Sequence, residues 1–258
     1  FANAFSRNDE AMTYDDWKKL VSEPTAPPPL VRARFVHGYF ASTAYADAQV
    51  GELMATLQST RLANDTIVVL LGDHGYHLGD HRMFGKKSVY EQATRSPLLL
   101  WGPDRVLDPR VRGRVVSDPV DFTDIYPTLV ELTLGLDPMR DDLDGDTVTR
   151  LLTPVRATDN LGVRAFAIAQ WPAWRTNPDV MSYMIRGRRY RYVAHVQGLA
   201  ASGPIVQDEL YDMWADPGEL VDGTYAKTPI NATVVALMRQ AFTALRSQRF
   251  LGAMRGEA

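Results

Sequence analysis

Between Val31 and Leu57, Phe35, Tyr39, Phe40, Thr43, Ala46, Val50, Leu53, Met54 and Leu57 recur at three- and four-residue steps. That period lines one side of a helix and predicts a long amphipathic helix, broken or whole. Asn64-Asp65 reads as a turn, and Thr66-Ile67-Val68-Val69-Leu70-Leu71 is then a continuous apolar run. A second run, Pro97-Leu98-Leu99-Leu100-Trp101, is closed by Gly102-Pro103. Runs apolar on both alternating sides predict strands buried on both faces, as in a parallel sheet. A helix followed by a buried strand, twice over, predicts a layered α/β architecture.

Val120–Leu134 predicts another helix, with Phe122, Ile125, Leu129, Val130 and Leu132 as its apolar stripe. Residues 137–146 are acidic and turn-rich. Beyond them the texture changes to short strand-like runs at Ala165–Gln170, Met181–Ile185, Tyr190–His195 and Glu209–Met213, closed by a helix near Pro229–Leu245. Strands followed by one helix predict a small antiparallel subdomain. The expected boundary lies near 153–162, dividing the chain into 1–155 and 156–258. Residues 1–30 read as a surface segment, because Pro27-Pro28-Pro29 removes backbone donors and fixes φ.

Composition narrows the function classes. The 258 residues are 45% hydrophobic and 23% charged, with a formal net charge of -3. That balance gives no electrostatic footprint for nucleic acid or an anionic membrane. No apolar run approaches the roughly 18–20 residues needed to span a bilayer. Cysteine is absent, so this chain supplies no disulfide, thiolate ligand or Cys nucleophile. Asn64-Asp65-Thr66 and Asn231-Ala232-Thr233 are formal glycosylation sequons, a triplet that also arises often by chance.

The chemistry is concentrated after the first strand. Thr66–Leu71 runs directly into Gly72-Asp73-His74-Gly75. In open α/β sheets ligands bind beyond the carboxyl ends of strands, and an acid and an imidazole there can share one cation. A carboxylate favours Ca²⁺ or Mg²⁺, whereas imidazole is commoner around transition metals. Thirteen residues beyond Asp73 comes Lys86, a cation able to neutralise charge on a bound anion's oxygens. Taken alone, an Asp-His pair after a strand also serves as a turn or cap, and two ligands do not complete a metal site. His77 and His81 read as solvated loop histidines or accessory substrate contacts. Lys87 reads as a surface charge, His37 as packed or exposed, and His195 as structural.

The string from Asp73 to Glu91, DHGYHLGDHRMFGKKSVYE, resembles sulfatases of the alkaline-phosphatase superfamily, most like the iduronate-2-sulfatase and choline-sulfatase type. Thr94-Arg95-Ser96-Pro97-Leu98 resembles the strand that follows in that family. Gly38–Gly51 resembles the preceding helix, and Val120–Leu129 the family's Asp-x-x-Pro-Thr-Leu helix. Leu143–Asp146, Met184–Tyr192 and Glu209–Glu219 resemble later family elements.

The resemblance implies part of an alkaline-phosphatase-like sandwich, a central mostly parallel sheet with flanking helices, plus the small antiparallel sheet and closing helix. It implies Asp73 and His74 as ligands of a divalent cation, Ca²⁺ first, with Mg²⁺ or Mn²⁺ as alternatives. Lys86 would contact the sulfate and His77 the substrate, while Asp47 and Arg95 would be scaffold, buried-pair or capping residues. The implied reaction is sulfate-ester hydrolysis, with a sulfated sugar among the substrates. A phosphonate monoester or phosphodiester hydrolase, or a non-catalytic module of the same fold, are the alternatives. Such sulfatases carry a formylglycine nucleophile in a Cys/Ser-x-Pro-x-Arg motif far upstream, and no such motif occurs here; the histidine expected before the long helix is missing too. The chain is therefore expected to be a C-terminal portion, inactive alone and partnered by the N-terminal portion. Export to a periplasmic, secreted or lysosomal location follows from the resemblance only.

Overall fold

The computed structural model describes residues 28–136, 143–154, 165–172, 179–198, 202–219 and 229–252. The chain divides into two compact units, Phe1–Arg105 and Val106–Ala258. The sequence-expected boundary near 153–162 falls mostly on residues 155–164, outside the described residues.

In the first unit, helix α1 spans Pro29–Ser59. Pro29 opens it, where a missing N–H costs nothing because the first-turn donors lack partners anyway. The predicted helix is thus found, one turn longer than its apolar pattern at most. None of its residues is buried: Leu30, Phe40, Tyr45 and Leu53 are all more than 60% exposed. Strand β1 (Val68–Leu71) is followed by a two-residue strand pair, β2 (His77–Leu78) and β3 (Phe84–Gly85). A single helical turn, α2 (Glu91–Thr94), leads into β4 (Leu98–Trp101).

Both expected strands exist, but their environment differs from expectation. β1 and β4 run antiparallel, with Val68 opposite Trp101 and Leu71 opposite Leu98. Leu70, Leu71 and Leu99 are exposed rather than buried on both faces. A continuous apolar run encodes the demand for two covered faces, not the strand's direction or the source of the cover. The 26 residues Gly72–Pro97 fold back as a compact loop, so β4 returns beside β1 in the opposite sense.

The helix expected over Val120–Leu134 in the second unit is a 3-10 turn, Phe122–Asp124, followed by α3 (Ile125–Leu134), entered through a capping box in which Asp121 and Asp124 each accept a backbone N–H of the other's turn. Asp124, 2% exposed, also accepts Asp146 N at 2.9 Å. Thr128 Oγ1 accepts Val148 N at 3.0 Å. These bonds hold the turn at Leu143–Val148 against the start of α3, and they give the Asp-x-x-Pro-Thr pattern a physical purpose.

Strands β5 (Ala167–Pro172), β6 (Val180–Arg186), β7 (Tyr190–Gln197) and β8 (Ile205–Asp212) form an antiparallel meander in that order. Helix α4 (Pro229–Gly252) closes it. Alternation along the strands sends Tyr183, Ile185, Tyr192, Ala194, Val196 and Leu210 to one core with Val235, Met238 and Phe242 of α4. Burying a side chain such as Phe242 is worth about 1.5–3 kcal/mol.

The opposite face carries a buried polar network. Ser182 Oγ lies 2.9 Å from His195 Nδ1, His195 Nε2 lies 3.0 Å from Glu209 Oε1, and Tyr211 OH donates to Glu209 Oε2 at 2.7 Å. His195 is therefore structural, as its place in an aromatic strand predicts. Arg191 and Glu219 form a buried ion pair at 2.7 Å, 1% and 0% exposed. It ties β7 to the Asp216–Glu219 turn that follows β8.

Candidate functional site

The end of β1 meets the start of β4 through Gly72, whose N–H donates to Pro97 O at 3.0 Å. Gly75 N–H then donates to Ala93 O at 2.8 Å, drawing the loop against α2. A Cβ on Gly75 would lie 2.0 Å from Gln92 O, so only glycine permits this approach. Asp73 and His74 are displayed between these two anchors.

Asp73 Oδ1 accepts its neighbour's backbone N–H, from His74, at 3.0 Å. His74 Nδ1 lies 2.8 Å from Gly75 O. A carbonyl oxygen only accepts, so Nδ1 carries the proton in that bond. In the neutral ring Nε2 is then a bare lone pair. It is enclosed and makes no well-formed hydrogen bond, yet it lies 3.2 Å from Asp73 Oδ2. Two acceptors that close repel unless a positive charge accompanies them. A proton on Nε2 would serve, and so would a divalent cation at about 2.0–2.6 Å from each atom. The donor set and the carbonyl holding Nδ1 fit the usual arrangement of a metal-ligating histidine. Asp73 is 84% exposed at its side chain, leaving its carboxylate open to further ligands. Among the described residues no group of three or more His, Cys, Asp or Glu could hold a metal. Asp73 and His74 are two candidate ligands, short of a complete site.

Lys86 follows β3 directly and is half-buried. β3 pairs with β2, Gly85 facing His77 and Phe84 facing Leu78. Gly85 has φ +134°, a region other residues rarely adopt, and it sets the direction in which the chain leaves the hairpin toward Lys86. α1 supports this hairpin through aromatic contacts: Phe35 meets the Phe84 ring edge-on at 5.2 Å, and Phe35 and Tyr39 pack on Tyr76 at 6.1 and 5.6 Å.

His77 and His81 are not solvated loop residues. His77 is 0% exposed and His81 is 7%. His77 Nε2 lies 2.8 Å from Ser88 Oγ. His81 stacks on Tyr90 at 4.5 Å and meets His77 edge-on at 5.8 Å. The aromatic contacts explain the burial, because an imidazole packs as a flat ring against its neighbours. Ser88, which no spacing signal marked, is thus part of the loop's framework. Asp47 and Arg95 are both exposed; among the described residues Arg95 pairs with Glu91 at 3.7 Å.

Comparisons with known proteins cover both units. The model of the Sulfatase family matches residues 1–136, and that of the N-sulphoglucosamine sulphohydrolase C-terminal region matches 79–248. Arylsulfatase K of Gallus gallus is 32% identical over 190 residues, 71% of this chain and 32% of that protein. A solved 2-O GAG sulfatase is similar at TM-score 0.65 and 25% identity, over 84% of this chain and 44% of its own. The phosphonate monoester hydrolase of Silicibacter pomeroyi shares the fold at TM-score 0.61 and 24% identity, over 78% of this chain and 38% of its own. The chain spans about a third of the length of the curated relatives it matches.

Proposed function

Since the chain belongs to the sulfatase family, with an alkaline-phosphatase-like fold, we propose that it is the portion of a sulfuric-ester hydrolase that contributes part of the cation and sulfate site. In this reading Asp73 and His74 bind the cation and Lys86 contacts the sulfate. The observation that carries it is the opposed pair of acceptors, His74 Nε2 and Asp73 Oδ2, 3.2 Å apart, with Nδ1 held by Gly75 O.

The cation is Ca²⁺ in this proposal, with Mg²⁺ or Mn²⁺ as alternatives; carboxylate-rich oxygen sites favour the harder ions. When bound, it supplies positive charge for the sulfuryl oxygens. The ammonium of Lys86 adds a second positive charge to the same anion, which matters most as charge grows on the departing oxygen. His74 is kept in one tautomer by Gly75 O, so its lone pair is oriented before any ligand arrives. The nucleophile is a formylglycine in an N-terminal portion of the same enzyme. The exposed apolar residues of α1 and the half-covered β1–β4 pair support such a partner, because they are surface that a larger sandwich would bury.

The substrate is a sulfate ester, and a sulfated sugar is the class to test first, given the similarity to a 2-O GAG sulfatase. The likeness to iduronate-2-sulfatase in the Asp73–Glu91 string makes a sulfated uronic acid one member of that class. No described helix is long and apolar enough to cross a membrane, and export of the enzyme is part of the proposal.

The test is the full-length enzyme assayed on matched aryl sulfate and aryl phosphonate esters. Hydrolysis of the sulfate at least tenfold faster supports the proposal, and a preference for the phosphonate overturns it. In the same enzyme Asp73→Ala is expected to lower cation affinity and activity by at least 100-fold. Wild-type cation binding in that variant removes Asp73 from the site.

A further inference from the structure

Lys86 occupies a short stretch that is fastened at both ends. On its N-terminal side Gly85 is in register with His77 in the β2–β3 ladder. On its C-terminal side Ser88 N–H donates to Lys86 O at 2.8 Å. The Ser88 hydroxyl then joins two further elements. Its Oγ lies 2.8 Å from His77 Nε2 and accepts Tyr90 N–H at 3.3 Å, at the entry to α2. One side chain thus links strand β2, the Lys86 carbonyl through its own backbone, and the N-cap of α2.

His77 is held in turn. It is fully buried, edge-on to His81 at 5.8 Å and to Tyr90 at 6.5 Å, while His81 and Tyr90 stack face to face. The imidazole has no route to solvent in this chain, and its Nε2 is engaged with Ser88. It therefore cannot be a substrate contact here without leaving its box.

We propose that His77 and Ser88 are positioning residues for Lys86, a role that rests on Lys86 being the anion-contacting lysine. The His77–Ser88 bond closes a small ring of chain, Gly85 to Ser88, and fixes where the Lys86 Cα sits relative to the Asp73-His74 pair at the other end of the same loop. Catalytic groups must be held within about 0.5 Å of their working position, and a shift of about 1 Å costs up to about 100-fold. A lysine side chain is long and flexible, so the backbone it springs from is the part of its position a protein can best fix.

The experiment is a double-mutant cycle in the full-length enzyme, on the sulfate ester, with melting temperature and far-UV circular dichroism recorded for each variant. Lys86→Ala, Ser88→Ala and the pair are compared. Ser88→Ala is expected to lower kcat/KM about tenfold with native secondary structure, and Ser88→Thr, which keeps the hydroxyl, to restore most of it. In the Lys86→Ala background, Ser88→Ala is expected to change kcat/KM by less than about twofold, since its effect passes through the missing ammonium. A full tenfold loss on top of Lys86→Ala means that Ser88 acts independently and overturns the inference, while leaving the sulfatase reading intact. Unchanged activity in Lys86→Ala alone removes the reading beneath it, and the inference with it. If Ser88→Ala does not fold, Ser88→Cys, nearly isosteric with a weak hydrogen-bonding thiol, is put through the same cycle and read by the same criteria.

Discussion

Gly75→Ala adds one methyl group at the point where the Asp73-His74 loop is pressed hardest against its support. Built on the existing backbone, the new Cβ would lie 2.0 Å from Gln92 O, 3.0 Å from Gln92 C and 3.1 Å from Arg95 O. An ordinary carbon–oxygen contact is about 3.3–3.6 Å, so loop and helix must part by about 1.3 Å. All three atoms are backbone, and no side-chain rotation relieves the clash. The separation breaks the Gly75 N to Ala93 O bond, worth about 0.5–1.5 kcal/mol, and adds about 1–3 kcal/mol of overpacking. It also carries away Gly75 O, the acceptor that orients His74. Stability is expected to fall by about 2–4 kcal/mol, and a displacement of that size costs about 100-fold in site function. Urea unfolding and calcium titration calorimetry of the enzyme measure the two effects. Gly72→Ala is the matched control. Its Cβ would meet Pro97 Cδ at 3.3 Å, Ser96 Cβ at 3.4 Å and His74 O at 3.5 Å, contacts relieved by a shift of a few tenths of an ångström, so a loss below about 1 kcal/mol is expected. The reasoning fails if Gly75→Ala keeps wild-type stability and cation affinity, or if both alanines cost the same.

Three further outcomes follow from the second unit. Glu219→Gln strips the carboxylate from buried Arg191 and is expected to cost about 3–5 kcal/mol, read as a lower urea midpoint with unchanged slope; a loss under about 1 kcal/mol counts against a buried charge there. Burial is the main cause holding the Tyr192 phenol well above its usual range, and its OH donates to Asp208 Oδ2 at 2.9 Å. The native state favours the neutral phenol, so this stabilisation is intact below the unfolded pKa of about 10 and is lost as pH rises above it. Tyr192→Phe should flatten the alkaline limb of a stability–pH curve, and an unchanged limb refutes the assignment. Asp212 is held below the usual carboxylate range chiefly by its hydrogen bonds from Arg189. Its contribution is present above about pH 4 and fades as pH falls; Arg189 is half-exposed, so Asp212→Asn should soften acid unfolding by under about 1 kcal/mol.

Much of this was readable from residue order, and the exceptions share a cause. The helix at Pro29–Ser59, the four-stranded meander and its closing helix follow from period and from runs that local sequence specifies. The Asp73-His74 corner follows from a strand ending in a glycine-flanked acid and imidazole. What period cannot carry is the partner across a fold. The antiparallel sense of β4 depends on how 26 intervening residues return. The burial of His77 depends on Ser88, eleven residues away, and on the Tyr90 ring, met only once a two-residue hairpin has closed. A histidine in a polar loop has the same local signature whether it faces water or an aromatic box.

The pairing of β1 with β4 has a practical bearing on handling the molecule. Among the described residues each strand is bonded on one side, so each presents a row of backbone donors and acceptors on the other, beside exposed leucines. An open edge of that kind is a template for intermolecular strand addition. Made by itself, this chain should associate with itself as concentration rises, and light scattering at increasing dilution should show the aggregates dissociate. If the proposed N-terminal portion covers that edge, co-expressing it should lower the scattering at the same concentration.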